Sequence, residues 1–191
     1  MSLELVLDGI HLIGALTFGI LELVDIKSGI TDVQTPENLS PEQKKELITI
    51  RMELAKILVS VWKHAANADK TLQKEEENYM NKMIDSFFSE TSFFTEQFSN
   101  HTEIKSELKE TFNNPLTLDD IKKYSEKHFD VSLKLYDCAC CLIAQKDDLA
   151  DSEKEFLANF AKTLNISHDD KEKTESIHLS TINRFYNRKW F

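Results

Sequence analysis

Glycine and proline are scarce in this chain of 191 residues: four glycines (Gly9, Gly14, Gly19, Gly29), all within the first 29 positions, and three prolines (Pro36, Pro41, Pro115). Beyond Gly29, therefore, the chain has neither a glycine-rich phosphate loop nor a dinucleotide-binding fingerprint. Cysteine is confined to Cys138, Cys140 and Cys141. An odd number packed this tightly is no disulfide framework and points to a reducing cytoplasm. Positive charge is in deficit too, with 23 Lys and Arg against 33 Asp and Glu, a formal net charge of −10. That balance speaks against nucleic acid, whose phosphates must be neutralised by a basic surface, and against anionic membranes. Cations and basic proteins suit it better. Alternating strand-like runs are missing as well. Few chain breakers and much Leu, Lys and Glu predict an all-α protein.

The stretch from Leu3 to Asp25 is strongly apolar, and its ionisable residues Glu4, Asp8, His11, Glu22 and Asp25 fall on one narrow stripe of a helix. Such a helix calls for burial on most sides. The interval between Asp8 and Glu22 is shorter than the ~20 apolar residues of a membrane span, and it contains His11. No Lys or Arg precedes it as in a signal peptide. The expectation is an N-terminal helix over 1–25, packed on the bundle or across a homodimer, then a connector over 26–40 and a helical domain over 41–191. Peripheral membrane association is the second reading, disfavoured by the acidic stripe. Deleting the helix should leave poorly soluble protein.

Ser40-Pro41-Glu42-Gln43 is a helix start, with Ser40 as cap, Pro41 at the first helical position and Gln43 reaching back. Leu47, Ile50, Leu54, Ile57, Leu58, Val61, Trp62 and Ala65 then follow at helical spacing to about Ala66. A second helix, apolar nearly all round and counting Leu133 among its apolar residues, is predicted from about Val131 to Ala144, with Asp130 as cap. The two belong to a repeat with an offset of 77 residues. Leu58 matches Leu135, Val61 matches Cys138, Ala65 matches Leu142 and Ala66 matches Ile143. After a turn, Leu72 matches Leu149, Glu76 matches Glu153, Met83 matches Phe160 and Phe87 matches Leu164. Each unit (about 55–90 and 132–167) is a helix, a short turn with one apolar residue, and an amphipathic helix. Two such hairpins pack into one bundle.

The first turn reads Ala66-Asn67-Ala68-Asp69-Lys70-Thr71-Leu72-Gln73-Lys74-Glu75-Glu76, and the second Ile143-Ala144-Gln145-Lys146-Asp147-Asp148-Leu149-Ala150-Asp151-Ser152-Glu153. Over roughly residues 45–175 this arrangement resembles the TerB-like (tellurite resistance protein TerB) helical family, whose duplicated unit carries Ala-x-Ala-Asp-Gly, an apolar residue two further on, and a Glu opening the next helix. The first copy keeps Ala66, Ala68, Asp69, Leu72 and Glu76, with Lys70 in place of the usual Gly. The second keeps Leu149 and Glu153, with Lys146 at the Asp position and Asp147 at the Gly position. Leu164-Asn165-Ile166-Ser167 is similar to the family's frequent helix ending. The resemblance implies a bundle built from a duplicated helix-turn-helix unit and a role near tellurite resistance and stress response.

Further helices are expected over Thr91–Ser99, Glu103–Phe112, Thr117 to about Phe129, and from Ser167 into the aromatic and basic tail Arg184–Phe191, read first as docking on the bundle and second as an anchor to a partner or membrane surface. Asp69, Glu76, Asp147 and Glu153 are the candidate metal ligands, as clustered carboxylates can hold a hard cation such as Ca²⁺ or Mg²⁺. The spacing is not that of a calcium loop, and Lys146 and Lys70 bring ammonium groups into the turns. The structural reading is helix capping, although Gln73 and Ala150, three residues before Glu76 and Glu153, are poor caps. At most a weak divalent cation is expected, with a dissociation constant no tighter than about millimolar, and no other cofactor. Cys138 and Cys141 form a Cys-x-x-Cys in mid-helix rather than at a helix start, so buried inert thiols are expected. The six histidines show no paired-ligand pattern, and His64 reads as a bundle-edge residue. With no catalytic motif, the expectation is a non-catalytic interaction module with a protein or homodimer partner. A divalent-cation-binding protein is the alternative.

Overall fold

The structure, a computed structural model, describes residues 40–68, 81–82, 84–85, 87–88, 100–128, 131–144 and 149–187, the last with backbone alone beyond 179. The N-terminal helix over 1–25, the connector up to residue 39, the helix over 91–99, the cap Asp130 and the tail 188–191 lie outside the described residues. Six helices and no strand are found among the described residues: α1 (Pro41–Ala66), α2 (His101–Asn113), α3 (Leu118–Lys127), α4 (Val131–Ile143), α5 (Asp151–Thr163) and α6 (His168–Asn187). The all-α bundle expected from composition is what forms. Among the described residues no helix is long and apolar enough to cross a membrane.

Local chemistry fixes the helix ends. At α1 the Gln43 N–H donates to Ser40 Oγ (3.2 Å) and the Ser40 N–H to Gln43 Oε1 (2.9 Å), a complete capping box ahead of Pro41. Thr117 and Asp120 repeat the device at α3. Ser167 Oγ takes the Asp170 N–H at the start of α6 (3.1 Å). Helix α5 closes through Asn165, whose φ of 55° is left-handed. The Ile166 N–H returns to Ala161 O (2.9 Å) and the Asn165 N–H to Lys162 O (3.2 Å), so the last carbonyls are satisfied. Asn tolerates this conformation better than most non-glycine residues, because its short polar side chain bonds locally.

Helix α4 is the hub, packed on α1, α3, α5 and α6. Leu58 and Val61 of α1, and Leu135 and Cys138 of α4, are fully buried in one core. From Leu54 onward α1 is buried on most of its circumference, because α2 lies against it as well. Lys63 Nζ sits 4.1 Å from the centre of the Phe112 ring, and Lys56 pairs with Glu107. The α2–α3 connection is tied down by α1: the Leu116 N–H donates to Ser60 Oγ (3.0 Å), and Leu116 O lies 2.7 Å from His64 Nε2. That contact gives the bundle-edge histidine a structural task.

Two expectations need correction. Helix α3 ends at Lys127, short of Phe129, and α4 at Ile143, with Ala144 in the turn. Helix α4 is buried on most faces, as expected, with Leu133 among its few exposed residues (39%). It lies beside the partly exposed Lys134 and Asp137 on α4.

Candidate functional site

Of the four predicted metal ligands, Asp69, Glu76 and Asp147 lie outside the described residues. Glu153 is 1% exposed, in the first turn of α5. Its Oε2 accepts the N–H of Ala150 at 2.9 Å. This is the half of a capping box that asks nothing of the side chain at the cap, so alanine there is tolerated. The signal was legible as a Glu three residues after the last extended residue, but the poor cap at Ala150 obscured it. The neighbouring Asp151 is exposed, and the Lys154 ammonium 2.8 Å away holds its carboxyl below the usual range. Among the described residues no group of three or more His, Cys, Asp or Glu side chains is placed to hold a metal ion. Glu153→Ala should lower stability by about 1 kcal/mol, the cost of losing a cap, while Glu153→Gln keeps an oxygen for the Ala150 N–H and loses less. Urea unfolding of the two variants measures the difference; equal losses would remove the capping account.

Cys138, Cys140 and Cys141 are free thiols, fully buried in the middle of α4. Burial raises the Cys138 thiol well above its ordinary value, reinforced by the neighbouring Cys141 and Asp137, and pushes Cys140 up to about 12. Thiolate is the reactive species, so neither is a nucleophile at neutral pH. The same shifts predict alkaline lability. A thiol whose ionisation is suppressed only in the folded state contributes stability that is complete below its unfolded pKa, about 8.5, and is lost as pH rises through the folded one. Between pH 9 and about 12 stability should therefore fall, by about 1.4 kcal/mol per pH unit for each such group. Urea midpoints across that range check it, and a midpoint that does not move would refute it.

The most elaborate polar arrangement among the described residues joins α4 to α6. His178 Nε2 lies 2.5 Å from Asp137 Oδ1. The Tyr136 hydroxyl donates to Glu175 Oε1 (2.7 Å), and Lys171 Nζ donates to Glu175 Oε2 (2.9 Å). Lys171, Thr174, Glu175 and His178 recur at steps of three and four, so one face of α6 meets α4. Tyr136 is fully buried, and Thr174 and His178 are buried on the other side of the seam. Burial, the neighbouring Cys140 and the bond to Glu175 hold the Tyr136 phenol far above its ordinary range, so it stays protonated and can donate to Glu175. An imidazole oriented by a carboxylate is half of an acid–base device. Cys140 shares the seam but stays protonated, so the pair reads as a polar fastening between helices. None of these residues was singled out from the sequence, because a Lys-Thr-Glu-His face has the composition of a solvated helix surface. The one signal was the acidic Asp137 set between Tyr136 and the cysteines of a largely apolar α4.

Comparison with family models, with curated proteins and with solved structures finds no match to this chain.

Proposed function

We propose that the protein is a non-catalytic helical interaction module of the TerB-like type, working in a cytoplasmic stress-response assembly of the tellurite-resistance kind. One observation carries the reading. All five repeat pairs in which both members have a described side chain are buried: Leu58 and Leu135, Val61 and Cys138, Ala65 and Leu142, Ala66 and Ile143, Phe87 and Leu164. Burial on both sides of the 77-residue offset supports a duplicated unit sharing one core. The free thiols suit a reducing compartment. The step from fold to role rests on the resemblance, since one fold serves many functions.

The alternative, a divalent-cation-binding protein, is the weaker proposal, because the one described carboxylate of its four ligands is occupied with capping. Loss of the gene should lower the host's tolerance to tellurite, with recovery from a plasmid-borne copy. Unchanged tolerance would remove the tellurite reading. Calorimetric titration with Ca²⁺ and Mg²⁺ separates the two proposals: dissociation constants no tighter than about millimolar are expected, and micromolar binding would favour the cation reading.

A further inference from the structure

Helices α1 to α5 each bury apolar side chains in the core, among them Leu58, Leu108, Ile121, Leu135 and Phe160. Helix α6 is held differently. Of its described side chains, those of residues 168–179, only Thr174 and His178 are buried. Leu179 is partly buried against the core, and Ile177 is exposed. Two polar contacts cross from α6 to α4: the Tyr136 hydroxyl donates to Glu175, and His178 meets Asp137. When such a seam parts, its charged and polar groups return to water, which replaces much of what each gave the other. Drawing out an apolar helix would instead expose carbon, with no such compensation.

The joint between α5 and α6 permits that parting. Helix α5 is closed by its own turn, through the Asn165 N–H to Lys162 O and the Ile166 N–H to Ala161 O. Helix α6 opens on its own cap, where Ser167 Oγ takes the Asp170 N–H. Among the described residues no capping bond at this joint ties one helix to the other, so a swing about Ile166 and Ser167 leaves both helix ends satisfied. Ile166 is itself packed on the core and marks where the fixed part stops.

We propose that α6 is a releasable strap: it leaves α4 as one unit, turning about Ile166 and Ser167 while α1 to α5 stay folded, and its departure uncovers the face of α4 that carries Tyr136, Asp137 and Cys140. Segments that open below the global unfolding free energy are those with few buried apolar contacts, which is what sets α6 apart. The three thiols distinguish this opening from unfolding of the whole chain. At about 100° per residue, Cys140 falls between Tyr136 and Asp137 round the helix, under the centre of the strap. Cys138 points about 150° away from that centre, and Cys141 about 90°. Burial is the main cause that keeps Cys140 protonated, so release restores an ordinary, reactive thiol there and leaves Cys138 closed. The proposal is independent of the TerB-like reading.

The full native chain is exposed to N-ethylmaleimide at urea concentrations below the unfolding transition, and the modification of each cysteine is followed by fragment mass spectrometry. Cys140 is expected to react faster than Cys138 by about tenfold or more. Its rate should rise shallowly with urea, because releasing one helix exposes little surface, whereas Cys138 waits for global unfolding and its rate rises steeply. Amide hydrogen exchange supplies a measurement without a reagent: the α6 amides of residues 171–179 should exchange as one set, well ahead of those in the middle of α4. Glu175→Ala removes a bond to a charged group across the seam and should speed Cys140 about tenfold. Val61→Ala weakens the core on the α1 side and should speed Cys138 alone. Equal rates and equal urea slopes for Cys138 and Cys140 overturn the proposal, as do α6 amides protected as long as those of α4. So does a Glu175→Ala variant that leaves Cys140 unmoved, or a Val61→Ala variant that speeds both thiols alike.

Discussion

Trp62→Ala should lower the free energy of unfolding by about 3–5 kcal/mol, the range for removing a large buried aromatic side chain. Trp62 is fully buried on α1, and its ring stacks on that of Phe87 at a centroid distance of 5.6 Å and an interplanar angle of 17°. Truncation removes that contact and leaves a cavity in a core held on several sides, where collapse is restricted. Trp62→Phe separates two contributions. The indole Nε1 is buried without an acceptor among the described residues, so replacing it gives up apolar area but also relieves a desolvated N–H. The Phe variant should therefore lose far less than the Ala variant, about 1 kcal/mol. Urea unfolding followed by far-ultraviolet circular dichroism measures both without relying on tryptophan emission. A Trp62→Ala loss below about 1 kcal/mol would mean that this part of the core is loosely packed.

The elements that were legible in the sequence are those whose determinants are local. Ser40, Pro41 and Gln43 mark the start of α1 because capping acts over three residues, and the apolar spacing from Leu47 to Ala65 needs only the helical period. The start of α3 at Thr117 and the turn at Asn165 are legible for the same reason. That Leu133 is the exposed apolar residue of α4 depends on which neighbours cover that sector of the helix, which periodicity does not encode. The seam was hidden more completely. His178 and Asp137 are 41 residues apart and meet only once α6 has folded back on α4, and a charged helix face gives no sign that it is turned inward. Glu153 lies between these cases: its spacing was noticed, and only the backbone geometry of Ala150 shows that its carboxylate caps the helix.

Breaking the His178–Asp137 contact should produce the second large loss, and its pattern carries more information than its size. Removing the partner of a buried hydrogen-bonded group leaves the survivor desolvated and unsatisfied, at a cost of about 1–3 kcal/mol and more for a charged group. Asp137 has a side-chain exposure of 24% and His178 of 7%. Asp137→Ala, which strands the buried imidazole, should therefore reach that range. His178→Ala leaves a carboxylate that water can partly reach, and should cost less. Because the two groups serve each other, the double variant should cost little more than the worse single one, giving a coupling of about 0.5–3 kcal/mol in a double-mutant cycle. Tyr136→Phe supplies the contrast. It removes the donor to Glu175 Oε1, but Glu175 keeps Lys171 on its other oxygen. Its loss should stay near 1 kcal/mol, the net value of one hydrogen bond. Additive losses for Asp137→Ala and His178→Ala would show that the two groups do not depend on each other. Strong coupling would establish that a polar fastening, not apolar contact alone, sets how α6 seats on α4: beside the packing of Leu179 on the core, His178 reaches Asp137 and Glu175 takes the Tyr136 hydroxyl across the seam, while Lys171 holds Glu175 in place from within α6.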